Sequence, residues 1–89
     1  MMNELVNELN AVIDSSFERI VGIGKWILYF ERLKANNVKE IFRVSVKSKN
    51  IRYYCVSHDT SVRDVSLQQP TDKVTFNTVA EVIDYIYGG

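Results

Sequence analysis

Residues 42–56 read Phe42-Arg43-Val44-Ser45-Val46-Lys47-Ser48-Lys49-Asn50-Ile51-Arg52-Tyr53-Tyr54-Cys55-Val56. Phe42, Val44 and Val46 alternate with Arg43, Ser45 and Lys47, the period-two pattern of a strand with one buried face. Ser48-Lys49-Asn50 breaks the pattern with turn-forming residues, after which Ile51, Tyr53 and Cys55 alternate with Arg52, Tyr54 and Val56. An antiparallel hairpin is predicted. Side-chain parity then ties loop length to face: a four-residue loop pairs Val46 with Ile51, Val44 with Tyr53 and Phe42 with Cys55. A two-residue loop keeps the same residues on the same face, and a three-residue loop scrambles them unless a bulge intervenes. With an even loop the apolar face, Cys55 included, points into the core, and the opposite face collects Arg43, Ser45, Lys47, Arg52 and Tyr54.

Upstream, Trp26-Ile27-Leu28-Tyr29-Phe30 is an uninterrupted β-prone run, although Ile23, Trp26, Ile27, Phe30 and Leu33 also keep helical spacing. Gly22-Ile23-Gly24 before it and Lys34-Ala35-Asn36-Asn37 after it bound a segment of strand length, which favours a central strand buried on both faces. Nearer the N-terminus, Leu5, Leu9, Val12, Ile13, Phe17, Ile20 and Val21 form the stripe of an amphipathic helix over residues 3–21. Ser15 with Glu18 reads as a capping box, so that stripe is one helix or a helix pair. Downstream, residues 58–61 read as a turn, 62–67 as a short strand, 68–72 as a loop and 73–76 as extended. Thr78 with Glu81 is a second capping box, Val79, Val82, Ile83 and Ile86 make an apolar stripe, and Gly88 is its natural stop. The expected architecture is α+β, with an N-terminal helix or helix pair, an antiparallel sheet of three to four strands and a C-terminal helix, all in a single domain over residues 1–89.

At 89 residues folding buries roughly two-thirds of the chain's surface, a thin core with little room for a deep cleft. The net charge of zero conceals a sorted distribution. Residues 1–18 carry Glu4, Glu8, Asp14 and Glu18 and no base, residues 19–63 carry ten bases against Glu31, Glu40 and Asp59, and residues 64–89 carry four acids and Lys73. The basic middle must therefore pair with the acidic ends or present a cationic surface. A single cysteine, Cys55, excludes an internal disulfide and fits a reducing compartment. With no apolar run of about 18 residues, the expectation is a soluble cytoplasmic protein with no membrane partner.

Several motifs carry chemistry only in part. Gly22-Ile23-Gly24-Lys25 lacks the remaining features of a phosphate loop, which needs glycine where Arg19 stands and Ser or Thr where Trp26 stands. Cys55-Val56-Ser57-His58 has metal-like spacing, but only Asp59 and Asp64 are nearby as further donors. Ser57, His58, Asp59 and Ser61 supply the residue types of a hydrolytic triad within one short segment, where turn chemistry explains them better. No catalytic residue, metal site or cofactor is expected, and the chain is read as not an enzyme. A cleft enclosing His58 is the feature that would revise this.

What remains is the basic face: Arg43, Lys47, Arg52 and Arg63, with Tyr54 among them. Phosphate-neutralising charge beside an aromatic surface is the combination used by sheet readers of nucleic acid, although zero net charge is unlike a general polyanion binder. Three blocks are also similar to the Src-homology-two domain. Phe42-Arg43-Val44-Ser45-Val46 resembles its Tyr-x-Leu-Ser-Val strand, Ile51-Arg52-Tyr53-Tyr54-Cys55-Val56 its Val-x-His-Tyr-x-Ile strand, and residues 76–86 its C-terminal Phe-x-Ser-Leu-x-Glu-Leu-Val-x-Tyr-Tyr helix. That resemblance implies a phosphotyrosine-peptide module, but Tyr29 stands where the family's phosphate-binding Arg belongs and Tyr53 where its histidine does. The functional expectation is thus a small protein-interaction or regulatory domain that uses its basic sheet face or a sheet edge. Nucleic-acid binding through the same face is the alternative. A homo-oligomer through Trp26, Tyr29 or Tyr85 is a further expectation if these are exposed.

Overall fold

The hairpin forms the middle of the sheet. A computed structural model of the protein, describing residues 2–35, 38–62 and 73–88, pairs β3 (Val38–Ser48) with β4 (Arg52–Val62) along their whole length. β2 (Ile27–Leu33) and then β1 (Glu18–Ile23) continue the sheet beyond β3, and β5 (Val74–Phe76) closes it beyond β4. All neighbours are antiparallel and follow chain order, β1-β2-β3-β4-β5. Two helices, α1 (Met2–Val12) and α2 (Val79–Tyr87), cover one face. The layout is α+β as expected, with five strands in place of three or four. Among the described residues no helix is long and apolar enough to cross a membrane.

The additional strand comes from the segment whose spacing suggested helix. Ile13 makes the last helical bond to the Leu9 carbonyl, and Asp14 then diverts the chain. Its carbonyl accepts from the Phe17 and Glu18 amides at 3.0 and 2.8 Å, and its carboxylate accepts from the Ser16 amide at 3.0 Å. Asp competes in this way with helical backbone bonding. Glu18 therefore opens β1, and Val12, Phe17 and Val21 of the expected stripe stay 47, 58 and 44% exposed. β2 forms where a strand was favoured, but only Leu28 and Phe30 point into the core, while Tyr29 and Leu33 are exposed.

Loop length exchanges the faces of β4. Ser48 pairs with Arg52 around Lys49-Asn50-Ile51, a three-residue loop, so Val46 faces Tyr54, Val44 faces Val56 and Phe42 faces His58. Tyr54 and Val56 are buried at 3% and 0%, and Ile51, expected in the core, is 70% exposed. The physical reason lies farther along the strand. β4 runs on through the expected turn at 58–61, and the other parity would turn Asp59 toward the helices. In the observed register His58 stacks on Phe42, with ring centroids 4.2 Å apart, and its Nε2 meets the Glu40 carboxylate at 2.6 Å.

The core joins Leu5 and Leu9 of α1, Val79, Val82 and Ile86 of α2, and the inward residues Leu28, Phe30, Phe42, Val44, Val46, Tyr54 and Val56. α2 starts and stops as its sequence indicates. The Thr78 hydroxyl accepts from the Glu81 amide at 3.2 Å and donates to the Glu81 carboxylate at 3.0 Å. Gly88 closes the helix with φ of 82°, a left-handed conformation that favours glycine.

Candidate interaction surface

Where each cation goes decides what surface is left. On the helix-covered face Arg32 occupies the end of the sheet under the last turn of α2. Its Nε–H donates to Glu18 Oε2 at 2.8 Å, Nη1–H to Glu40 Oε1 at 3.5 Å, and Nη2–H to the Ile86 carbonyl at 2.9 Å. The guanidinium also lies 5.0 Å from the Tyr87 ring centroid. Lys34 and His58 complete the ring of partners around Glu40. Arg32 therefore links β1, β2, β3 and the C-terminal end of α2, where a cation is favoured by the helix dipole.

This clasp perturbs two protons. Burial pushes the Glu18 carboxyl up, but the Asp14 amide, Arg32 and the Tyr87 hydroxyl together outweigh it and hold the group below its ordinary value. The Tyr87 hydroxyl, which donates to Glu18 Oε1 at 3.0 Å, is pushed up to about 12 by burial, that hydrogen bond and the Glu18 charge.

The other face carries no described helix or strand. Across β1 to β3, Arg19 and Lys39 bracket Glu31 at 3.3 and 3.6 Å, so these two cations are also engaged. The register then places Tyr29, Arg43 and Ser57 in one row, Ile27, Ser45, Cys55 and Thr75 in the next, and Lys47 beside Tyr53 in a third. Arg43, Ser45, Lys47, Cys55, Ser57 and Lys73 line a recess of about 30 Å³ at the centre of these rows. Among the described residues no ion pair reaches Arg43, Lys47 or Lys73, and all three are exposed.

No family model, curated protein or solved structure matches this chain.

Of the residues expected on the basic face, Arg43 and Lys47 are there. Tyr54 is not: it is a core residue, and Tyr53 takes the outward place beside Lys47. Arg52 follows the inward parity of Tyr54 and lies exposed at the hairpin's end, so it does not share a face with Arg43. Arg63, with most of the expected strand at 62–67 and the loop at 68–72, lies outside the described residues. Cys55, expected to be buried, is half-buried on the open face. Sequence reading named Tyr29 only as a self-association residue, and it did not place Tyr29, Tyr53 or Lys73 beside Arg43 and Lys47. The available signal was Asp59, whose exclusion from the core fixes the parity of the whole strand.

A hollow of about 320 Å³ does border His58, together with Arg32, Lys34, Glu40, Tyr85 and Tyr87. Its histidine and carboxylate are bound to each other, and no Ser, Thr or Cys is among its described lining residues. Among the described residues no group of three or more His, Cys, Asp or Glu is placed to hold a metal ion.

Proposed function

We propose that the protein is a non-enzymatic interaction domain whose open sheet face docks an acidic segment of a partner protein. The observation that carries this reading is the division of the cations. Arg19, Arg32, Lys34 and Lys39 are held by Glu18, Glu31 and Glu40, whereas Arg43, Lys47 and Lys73 converge on one recess with no ion-pair partner among the described residues. Maintaining like charges side by side costs stability through repulsion, and an acidic ligand relieves that cost. Tyr29 and Tyr53 add rigid, partly apolar contact area beside the charges.

Those tyrosines also support a second reading, in which a single nucleic-acid strand stacks its bases on them and sets its phosphates on the cations. Fluorescence anisotropy at low salt separates the two, using a labelled Glu-rich peptide and a labelled single-stranded oligonucleotide. The proposal expects peptide binding that weakens at least about tenfold in an Arg43→Glu, Lys47→Glu variant, equivalent to roughly 1.4 kcal/mol. Preferential oligonucleotide binding transfers the face to the second reading. No binding of either probe removes the open face as a docking surface.

A further inference from the structure

The sorted charge of the sequence becomes a sorted charge in space. α1 contributes Glu4 and Glu8, α2 contributes Glu81 and Asp84, and neither helix holds a Lys or Arg. All four carboxylates are exposed, and none has an ion-pair partner among the described residues. The helical layer is thus an acidic surface on one side of the sheet, and Arg43, Lys47 and Lys73, which have no ion-pair partner among the described residues, make a basic surface on the other. Glu18 pairs with Arg32, and among the described residues no other acid of the two ends is ion-paired with a base of the middle.

The acidic side also has shape. Beside α2 an open hollow of about 590 Å³ is lined by Phe76, Tyr85 and Tyr87 and rimmed by Glu81 and Asp84. Aromatic walls with carboxylates at the rim suit a guanidinium or ammonium, through ring faces and ion pairing together. The open sheet face supplies such groups in Arg43 and Lys47, next to the exposed Tyr29.

We infer that the acidic segment docked on the sheet face is the helical layer of a second copy of this chain, resting on the reading of that face given above. Because the two surfaces differ and lie on opposite sides, the contact is head-to-tail and each added copy presents a fresh basic face. Such a contact builds open chains, or rings if the rotation closes, and not a two-fold dimer. A net charge of zero removes the overall repulsion that would oppose stacking like copies.

Sedimentation velocity over a range of protein concentration at low salt tests this. The average mass is expected to rise with concentration without a plateau at two copies, and to fall to the monomer at about 1 M salt, where the Debye length is only about 3 Å. Two variants locate the contact: a sheet variant with Arg43→Glu and Lys47→Glu, and a helix variant with Glu81→Gln and Asp84→Lys. The glutamine keeps the capping box at Thr78, and circular dichroism checks that each variant folds. Each variant alone is expected to be monomeric, and an equimolar mixture is expected to associate again.

Association that survives in both variants alone, or a plateau at a dimer, overturns the head-to-tail contact. A wild-type protein that stays monomeric but binds the Glu-rich peptide overturns self-docking and leaves the acid-docking reading standing. Failure of both experiments overturns both.

Discussion

The two faces of the sheet use the same kinds of residue to opposite ends. On the covered face Arg32 is held by two carboxylates and a carbonyl, with its side chain 17% exposed. On the open face Arg43 sits three rungs away on the next strand, exposed and with no ion-pair partner among the described residues. One arginine is part of the fold, and the other is left over from it. The difference teaches that charge count says little about available charge until the register is known.

Removing each arginine should expose this contrast most strongly. Arg32→Met leaves Glu18 and Glu40 buried without their shared partner, and the expected cost is about 3–5 kcal/mol in chemical denaturation. Arg43→Met should stay within about 0.5 kcal/mol. Similar costs for the two would break the comparison.

The paired tyrosines of β4 come next. Tyr54→Ala empties a core position and should cost about 3 kcal/mol, whereas Tyr53→Ala, on the open face, should cost less than about 1 kcal/mol. Reversal of that order would mean the hairpin has an even loop after all. Alkylation of Cys55 sharpens the same point, since the thiol on the open face should react in native buffer at a rate that denaturant raises only modestly. Full native protection would return it to the core.

The smallest effects are those of pH at Glu18 and Tyr87 on the covered face. Glu18 has a folded pKa below its unfolded value, so its contribution is present above the ordinary carboxylate range and is lost as pH falls through the lowered value. Tyr87 is raised from 10 to about 12, so its contribution is present below pH 10 and is lost as pH rises toward 12. Tyr87→Phe should flatten the alkaline limb of a stability–pH curve and leave peptide binding unchanged. An unaltered limb would remove Tyr87 from the clasp.

How much of this was legible depended on whether the signal was local. The capping box at Thr78, the stop at Gly88 and the inward face of β3 are set by residues within one turn or one strand, and each forms as read. The N-terminal stripe misled because Ile20 and Val21 continue helical spacing past Asp14, whose bonds to the Ser16, Phe17 and Glu18 amides end the helix. The hairpin faces turned on one residue of loop length. Tyr53-Tyr54 and Cys55-Val56 offer an apolar residue to either face, so the choice passed to His58 and Asp59, which sit in a segment that resembles a turn. The candidate surface inherited that ambiguity: Arg43 and Lys47 were readable from β3 alone, but Tyr29, Tyr53 and Lys73 reach them only through tertiary pairing.

The most direct test follows the arginine side-chain Nε–H signals by heteronuclear NMR as a Glu-rich peptide is added at low salt. Arg43 should shift saturably while Arg32, held by Glu18 and Glu40, stays in place. Shifts at Arg32 with none at Arg43 would show that the covered face receives the ligand and that the open face is not the docking surface.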